Sequence, residues 1–173
     1  LDFFVGASIM PPRGTVIAKK EILKIPLLGW AIAMLDLVMI DRGDPERARI
    51  TMAETAERIT SEDATIMIAP EGTRSRTGRL GAFKMGAFHL ALDVGVPMVL
   101  LLFRTPSELH PMDRKLVRPG VIDVEVLATL EWSEIESLTP HELRDKVRGI
   151  YLRALGELDE NVSPVEGEGN DDP

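Results

Sequence analysis

The sequence predicts a single α/β domain whose central sheet is largely parallel and flanked by helices. Three observations predict it. Short apolar runs of strand length alternate with stretches of helical period. Most of those runs are apolar at successive positions, as strands covered on both faces are. Several of the helical stretches open or close on a recognisable cap. Length and composition agree, since 173 residues with 45% hydrophobic content can bury one sizeable core. No internal repeat is visible.

The elements follow in order. Leu1–Met10 reads as the end of a helix, closed by Pro11-Pro12. Thr15–Ala18 is a short strand. The stretch Ile22–Ile40 is the most apolar, but Lys24, Pro26 and Asp36 interrupt it, so it is not expected to cross a membrane as one helix. It divides into a buried helix over Leu27–Leu35 and a strand over Leu37–Ile40. Asp44-Pro45 is an N-cap followed by proline at the first helical position. Ala48, Met52, Ala56 and Ile59 then recur at helical spacing, which predicts an amphipathic helix over Pro45–Ile59. Thr65–Ala69 is a second buried strand and Phe83–Val94 a further helix, with Gly95 as its C-terminal cap. Pro97–Phe103 is a third buried strand. Val121–Leu127 alternates, with Val121, Asp123, Glu125 and Leu127 on a wet face and Ile122, Val124 and Val126 on a dry one, which predicts an outer strand. Thr139-Pro140-His141-Glu142 is a capping box that opens a last helix carrying Leu143, Val147, Ile150, Ala154 and Leu158. The domain is therefore expected to span residues 1–158, followed by an acidic, disordered tail over 159–173.

The formal charge of −8 says little about partners, because Asp159, Glu160, Glu166, Glu168, Asp171 and Asp172 all lie in that tail. There is no cysteine, which removes disulfides and thiolate metal sites from consideration.

Two segments carry chemistry. In Ala69-Pro70-Glu71-Gly72-Thr73-Arg74-Ser75, a strand runs directly into a Pro-Glu-Gly turn. Ligands of open α/β sheets collect beyond the C-terminal ends of strands. Glycine lets a backbone approach a ligand closely, hydroxyls and amides can bond phosphate oxygens, and Arg74 can grip a phosphate with two donors. Arg76, Arg79 and Lys84 follow, with no acid between Arg74 and Lys84. A basic loop alone would be an ordinary solvated surface; the full run after a strand points to an anion site. The second segment, Val38-Met39-Ile40-Asp41-Arg42-Gly43, repeats the geometry of an apolar strand ending in a cation.

These residues resemble the 1-acyl-glycerol-3-phosphate (lysophosphatidate, PlsC-type) acyltransferase family. Its third block, Pro-Glu-Gly-Thr-Arg-Ser, matches Pro70–Ser75 at every position. Its second, a Phe-Ile-x-Arg-like run, matches Met39-Ile40-Asp41-Arg42, and its fourth, Val-Pro-Ile-Val-Pro, matches Val96-Pro97-Met98-Val99-Leu100. Linking text fits as well, at Ala18-Lys19-Lys20-Glu21 and at Phe83-Lys84-Met85-Gly86-Ala87-Phe88. Asp36, Met39 and Leu100 depart from the pattern. The resemblance implies transfer of a fatty acyl group from acyl-CoA or acyl carrier protein to the second hydroxyl of lysophosphatidate, giving phosphatidate. It implies that Arg42, Glu71, Gly72, Thr73 and Arg74, with Ser75 and Lys84, hold or frame the acceptor phosphate. It implies no metal, no prosthetic group and no nucleic-acid partner, and contact with the cytoplasmic face of a membrane. Other lysophospholipids or glycerol 3-phosphate are alternative acceptors, and a non-catalytic phospholipid-binding module is an alternative role.

The family's first block is His, four residues, then Asp. A histidine suits the base that removes the acceptor's proton, and a carboxylate orients it. None of His89, His110 and His141 has an Asp five residues on. Leu1-Asp2-Phe3-Phe4 resembles the end of the block, so the resemblance makes Asp2 the orienting carboxylate, with the histidine falling just before Leu1. The plainer reading of Asp2 is a frayed terminal residue. On the motif reading, residues 1–173 alone are expected to be inactive.

Overall fold

The computed structural model describes residues 2–20, 23, 30, 37–41, 43–72, 79–104 and 120–157. The helix expected over Leu27–Leu35 and the acidic tail over 159–173 lie outside the described residues, Trp30 apart. Among the described residues, no helix is long and apolar enough to cross a membrane.

Helix α1 (Asp2–Ile9) ends ahead of Pro11-Pro12, as expected. The chain reverses through a turn in which the Gly14 amide donates to the Pro11 carbonyl at 2.9 Å. A Cβ on Gly14 would stand 2.8 Å from that same carbonyl oxygen, so the reversal requires glycine. Strand β1 (Gly14–Lys19) follows and lies between β2 (Val38–Ile40) and β3 (Thr65–Met67), parallel to both. Ile17 faces Val38 and Lys19 faces Ile40 on one side; Gly14 faces Thr65 and Val16 faces Met67 on the other. Parallel neighbours need a long crossover, and helix α2 (Pro45–Glu62) supplies it between β2 and β3.

The cap predicted for α2 is present, with the Asp44 carboxylate accepting from the Arg47 amide at 3.1 Å. The helix outlasts the expected Ile59 by three residues. Thr60 and Ser61 turn their hydroxyls back onto the carbonyls of Ala56 and Glu57, which keeps polar residues inside the helix, and Asp63 ends it in the left-handed region. Strand β3 is shorter than Thr65–Ala69 and is not buried, as Thr65 is exposed and Ile66 and Met67 are half-buried.

Helix α3 (Gly86–Val94) begins three residues later than its period suggests. The Lys84 amide donates to the Pro70 carbonyl at 2.8 Å, and that long-range bond holds the preceding residues out of the helix. Gly95 closes α3 at φ 76°.

The third expected buried strand differs more. β4 (Met98–Arg104) pairs antiparallel with β5 (Asp123–Leu130), and only Leu100 along it is buried, while Val99 is 56% exposed. Antiparallel ladders tolerate one wet face, and this one has it. A bulge sets Leu100 opposite Ala128 but Leu101 opposite Val126. The extra residue, Leu127, turns against the core and Val126 is left 62% exposed, reversing the faces expected for these two residues.

One turn of helix, α4 (Trp132–Ile135), was not foreseen; the side chains of Glu131 and Glu134 cap it reciprocally. Helix α5 (Pro140–Leu155) opens on the expected box, with the Thr139 amide donating to Glu142 at 2.8 Å. The Thr139 bonds hold the Glu142 carboxyl below its ordinary range. The main core joins Phe83, Phe88, Leu100, Leu130, Ile135, Leu143 and Val147, so it ties α3, β4, β5, α4 and α5 together.

Tyr151 borders this core, edge-on to Phe83, and donates to the Leu101 carbonyl at 2.8 Å. Burial pushes its hydroxyl from an ordinary 10.0 up to about 12. A raised value favours the folded state while the hydroxyl is protonated, so the contribution is complete below pH 10 and is lost toward pH 12. We expect about 2–3 kcal/mol of stability to vanish across that window. Tyr151 is the single tyrosine of the chain, so its phenolate absorbance and the difference from Tyr151→Phe in denaturant titrations check the prediction directly.

Candidate active site

Because β1, β2 and β3 are parallel, the segments leaving their C-terminal ends share one edge of the sheet. β3 leaves the ladder at Met67, opposite Val16; three residues later Pro70 opens its turn, while β1 runs three residues beyond Val16 to Lys19, level with Ile40. Lys20, Asp41 and the Pro70 turn therefore emerge together.

The turn itself is well defined. The Gly72 amide donates to the Ala69 carbonyl at 3.0 Å, and Gly72 sits at φ 68°, where a side chain is strained. The Glu71 carboxylate accepts from the Gly81 amide at 2.9 Å, so it pinches together the two ends of the loop between them. Lys84 is exposed, and its amide reaches the Pro70 carbonyl. Of the phosphate-site residues expected from the sequence, the structure thus brings Glu71, Gly72 and Lys84 to one place. Thr73, Arg74, Ser75 and Arg42 lie outside the described residues.

Beside the turn, Asp41 accepts from the Gly43 amide at 3.1 Å and pairs with the Lys20 ammonium at 3.8 Å. Sequence reasoning had not singled out Lys20. Its signal was positional: it follows a central strand directly, as Asp41 and Arg42 follow β2. The pair is partly exposed, and such pairs contribute roughly 0–1 kcal/mol, so Lys20 is available to a stronger anion. An open groove of about 300 Å³ adjoins it, lined by Lys20, Leu23, Met39, Asp41, Arg47, Ile50, Thr51 and Glu54, so two cations and two carboxylates share it with apolar side chains.

Helix α1 reaches the same edge. Gly6 packs on the end of β3, where a Cβ would stand 2.6 Å from the Met67 sulfur. Asp2 begins the helix four residues earlier, about 6 Å further along its axis. Its backbone is thereby directed toward the sheet edge; its side chain lies outside the described residues. His89 and His141 are exposed on α3 and α5, as expected of helix residues, and His110 lies outside the described residues. Among the described residues, no group of three His, Asp or Glu side chains is placed to hold a metal ion.

Comparison with known proteins agrees with this geometry. The model of the family described as Acyltransferase matches residues 1–103. The chain is 32% identical to a 1-acyl-sn-glycerol-3-phosphate acyltransferase of Escherichia coli (strain K12), over 97% of this chain and 68% of that protein. It is 32% identical to the protein of the same name from Cocos nucifera, over 99% of this chain and 54% of that protein. The crystal structure of PlsC from Thermotoga maritima, a 1-acyl-sn-glycerophosphate (LPA) acyltransferase, superposes with a TM-score of 0.62 at 28% identity, covering 88% of this chain and 59% of that one. The chain thus spans about half to two thirds of the length of these relatives.

Proposed function

The chain belongs to the acyltransferase family, and from that membership we propose that it forms the acceptor-binding part of a lysophosphatidate acyltransferase. The observation that supports the reading is that the Lys20–Asp41 pair and the turn carrying Glu71, Gly72 and the Lys84 amide both follow the C-terminal ends of one parallel sheet's strands. Arg74, with Thr73, Ser75 and Arg42, completes the grip on the acceptor phosphate. Several donors aimed at one phosphate fix the glycerol backbone, which positions its free hydroxyl for attack.

In the reaction the hydroxyl oxygen attacks the carbonyl carbon of a thioester, a base takes the hydroxyl proton, and the carbon–sulfur bond breaks to release the thiol. The donor is acyl-CoA or acyl carrier protein, and no metal or prosthetic group takes part. Asp2 orients the base, whose position in the His-x4-Asp motif, five residues ahead of Asp2, is outside residues 1–173. An amphiphilic substrate places the work at a membrane surface, on its cytoplasmic face.

Arg74→Ala tests the phosphate site. Calorimetric titration with lysophosphatidate should show binding weakened by about 1.5–3 kcal/mol, the worth of a hydrogen bond to a charged group. Unchanged binding would remove the assignment.

A further inference from the structure

The groove beside the sheet edge balances its own charge. Lys20 and Arg47 are its cations and Asp41 and Glu54 its carboxylates, so it offers an incoming anion no net positive charge. Each cation is also engaged by an aspartate. The Arg47 Nε lies 3.2 Å from Asp44, the residue that caps α2 and accepts from the Arg47 amide. The Lys20 Nζ lies 3.8 Å from Asp41.

The two pairs differ in how readily they part. Asp44 and Arg47 belong to one helix start, and the Asp44 carboxylate holds both the amide and the side chain of the same residue. Lys20 and Asp41 follow the ends of two different strands, β1 and β2. They meet at a separation longer than the roughly 2.7–3.2 Å of a hydrogen bond, so their contact is Coulombic. Their side chains are 52% and 30% exposed, and water screens the attraction. Within this pair the carboxylate is the fixed partner, because its other oxygen accepts from the Gly43 amide at 3.1 Å. The Lys20 ammonium ends a long, flexible stem. An anion entering the groove therefore draws Lys20 away while Asp41 keeps its place.

We propose that Asp41 sets the affinity for the acceptor phosphate by competing with it for the Lys20 ammonium, without touching the substrate. The proposal rests on the phosphate-site reading above. A phosphate monoester carries a charge of about −1.5 to −2 at neutral pH, more than a carboxylate, so the exchange of partners favours the ligand. The attraction that Lys20 gives up on leaving Asp41 is subtracted from the gain.

The test is calorimetric titration of lysophosphatidate into residues 1–173 and into Asp41→Asn, Lys20→Met, the double variant and Arg74→Ala, with a thermal melt of each. Asp41→Asn removes the charge and keeps an oxygen for the Gly43 amide. It should bind about three- to fivefold more tightly, the size that a partly exposed ion pair permits. Lys20→Met should bind more weakly than the parent, and adding Asp41→Asn to it should leave the affinity nearly unchanged. Should Asp41→Asn fail to fold, Asp41→Ser also offers the Gly43 amide an oxygen and should show the same gain. Parent-like or weaker binding by a folded Asp41→Asn, beside a weakened Arg74→Ala, overturns the role of Asp41 alone. An equal gain with and without Lys20 overturns it too, because competition for the ammonium would not be the cause, and so does parent-like binding by Lys20→Met. If Arg74→Ala binds like the parent, the phosphate site itself is misplaced and the inference falls with it.

Discussion

Residues 1–173 alone should form phosphatidate about 100- to 10,000-fold more slowly than the same chain extended so that a histidine stands five residues before Asp2. The size follows from the chemistry. A hydroxyl is a poor nucleophile until a base near neutral pKa accepts its proton. The described histidines, His89 and His141, are exposed residues of α3 and α5, and neither has an aspartate five residues on. Glu71, Gly72 and Lys84, by contrast, already come together at the turn after β3. Adding the base should therefore change the turnover number and leave lysophosphatidate affinity nearly as it was. A matched extension carrying alanine in place of the histidine is the control, assayed with an acyl thioester and lysophosphatidate. Equal rates in the two extended chains would contradict the account, as would full activity of residues 1–173.

Leu143→Ala should cost about 2–5 kcal/mol, the usual loss for truncating a fully buried leucine. Leu143 has no exposed surface and lies in the cluster with Phe88, Leu100, Ile135 and Val147. Total stabilities of single domains are about 5–15 kcal/mol, so the change removes a substantial share of the margin. It strikes where α3, α5 and the β4–β5 ladder meet. Urea titrations of parent and variant measure it. A shift below 1 kcal/mol would mean that α5 does not pack as described.

Local rules made much of the fold legible. Pro11-Pro12 marked the end of α1, Asp44-Pro45 the start of α2, Gly95 the end of α3 and Thr139-Glu142 the start of α5. Each is a choice made within a few residues. What escaped depends on distant partners. An apolar run such as Val99–Phe103 does not carry its strand direction, and here it joins an antiparallel ladder. The bulge at Leu127 is a property of two strands, so the alternation of β5 misplaced Val126. Lys84 leaves the helix that its period favours because Pro70 offers a carbonyl. The cap of α4 uses Glu131, a residue type outside the usual N-cap set.

The site divides in the same way. Glu71 and Gly72 stood out because strand, turn and cations are contiguous in sequence. Lys20 did not, since it takes its place only when Asp41 is brought alongside.

The central claim is that this sheet edge selects a lysolipid with a phosphate-monoester head for acylation. It is tested most directly by competition. The histidine-extended chain is given one labelled acyl thioester and equal concentrations of lysophosphatidate, lysophosphatidylcholine and glycerol 3-phosphate. The account predicts that the label enters phosphatidate, and that Arg74→Ala abolishes the preference over lysophosphatidylcholine. Label appearing chiefly in phosphatidylcholine or in the acylated glycerol phosphate, or a preference unchanged by Arg74→Ala, would contradict it.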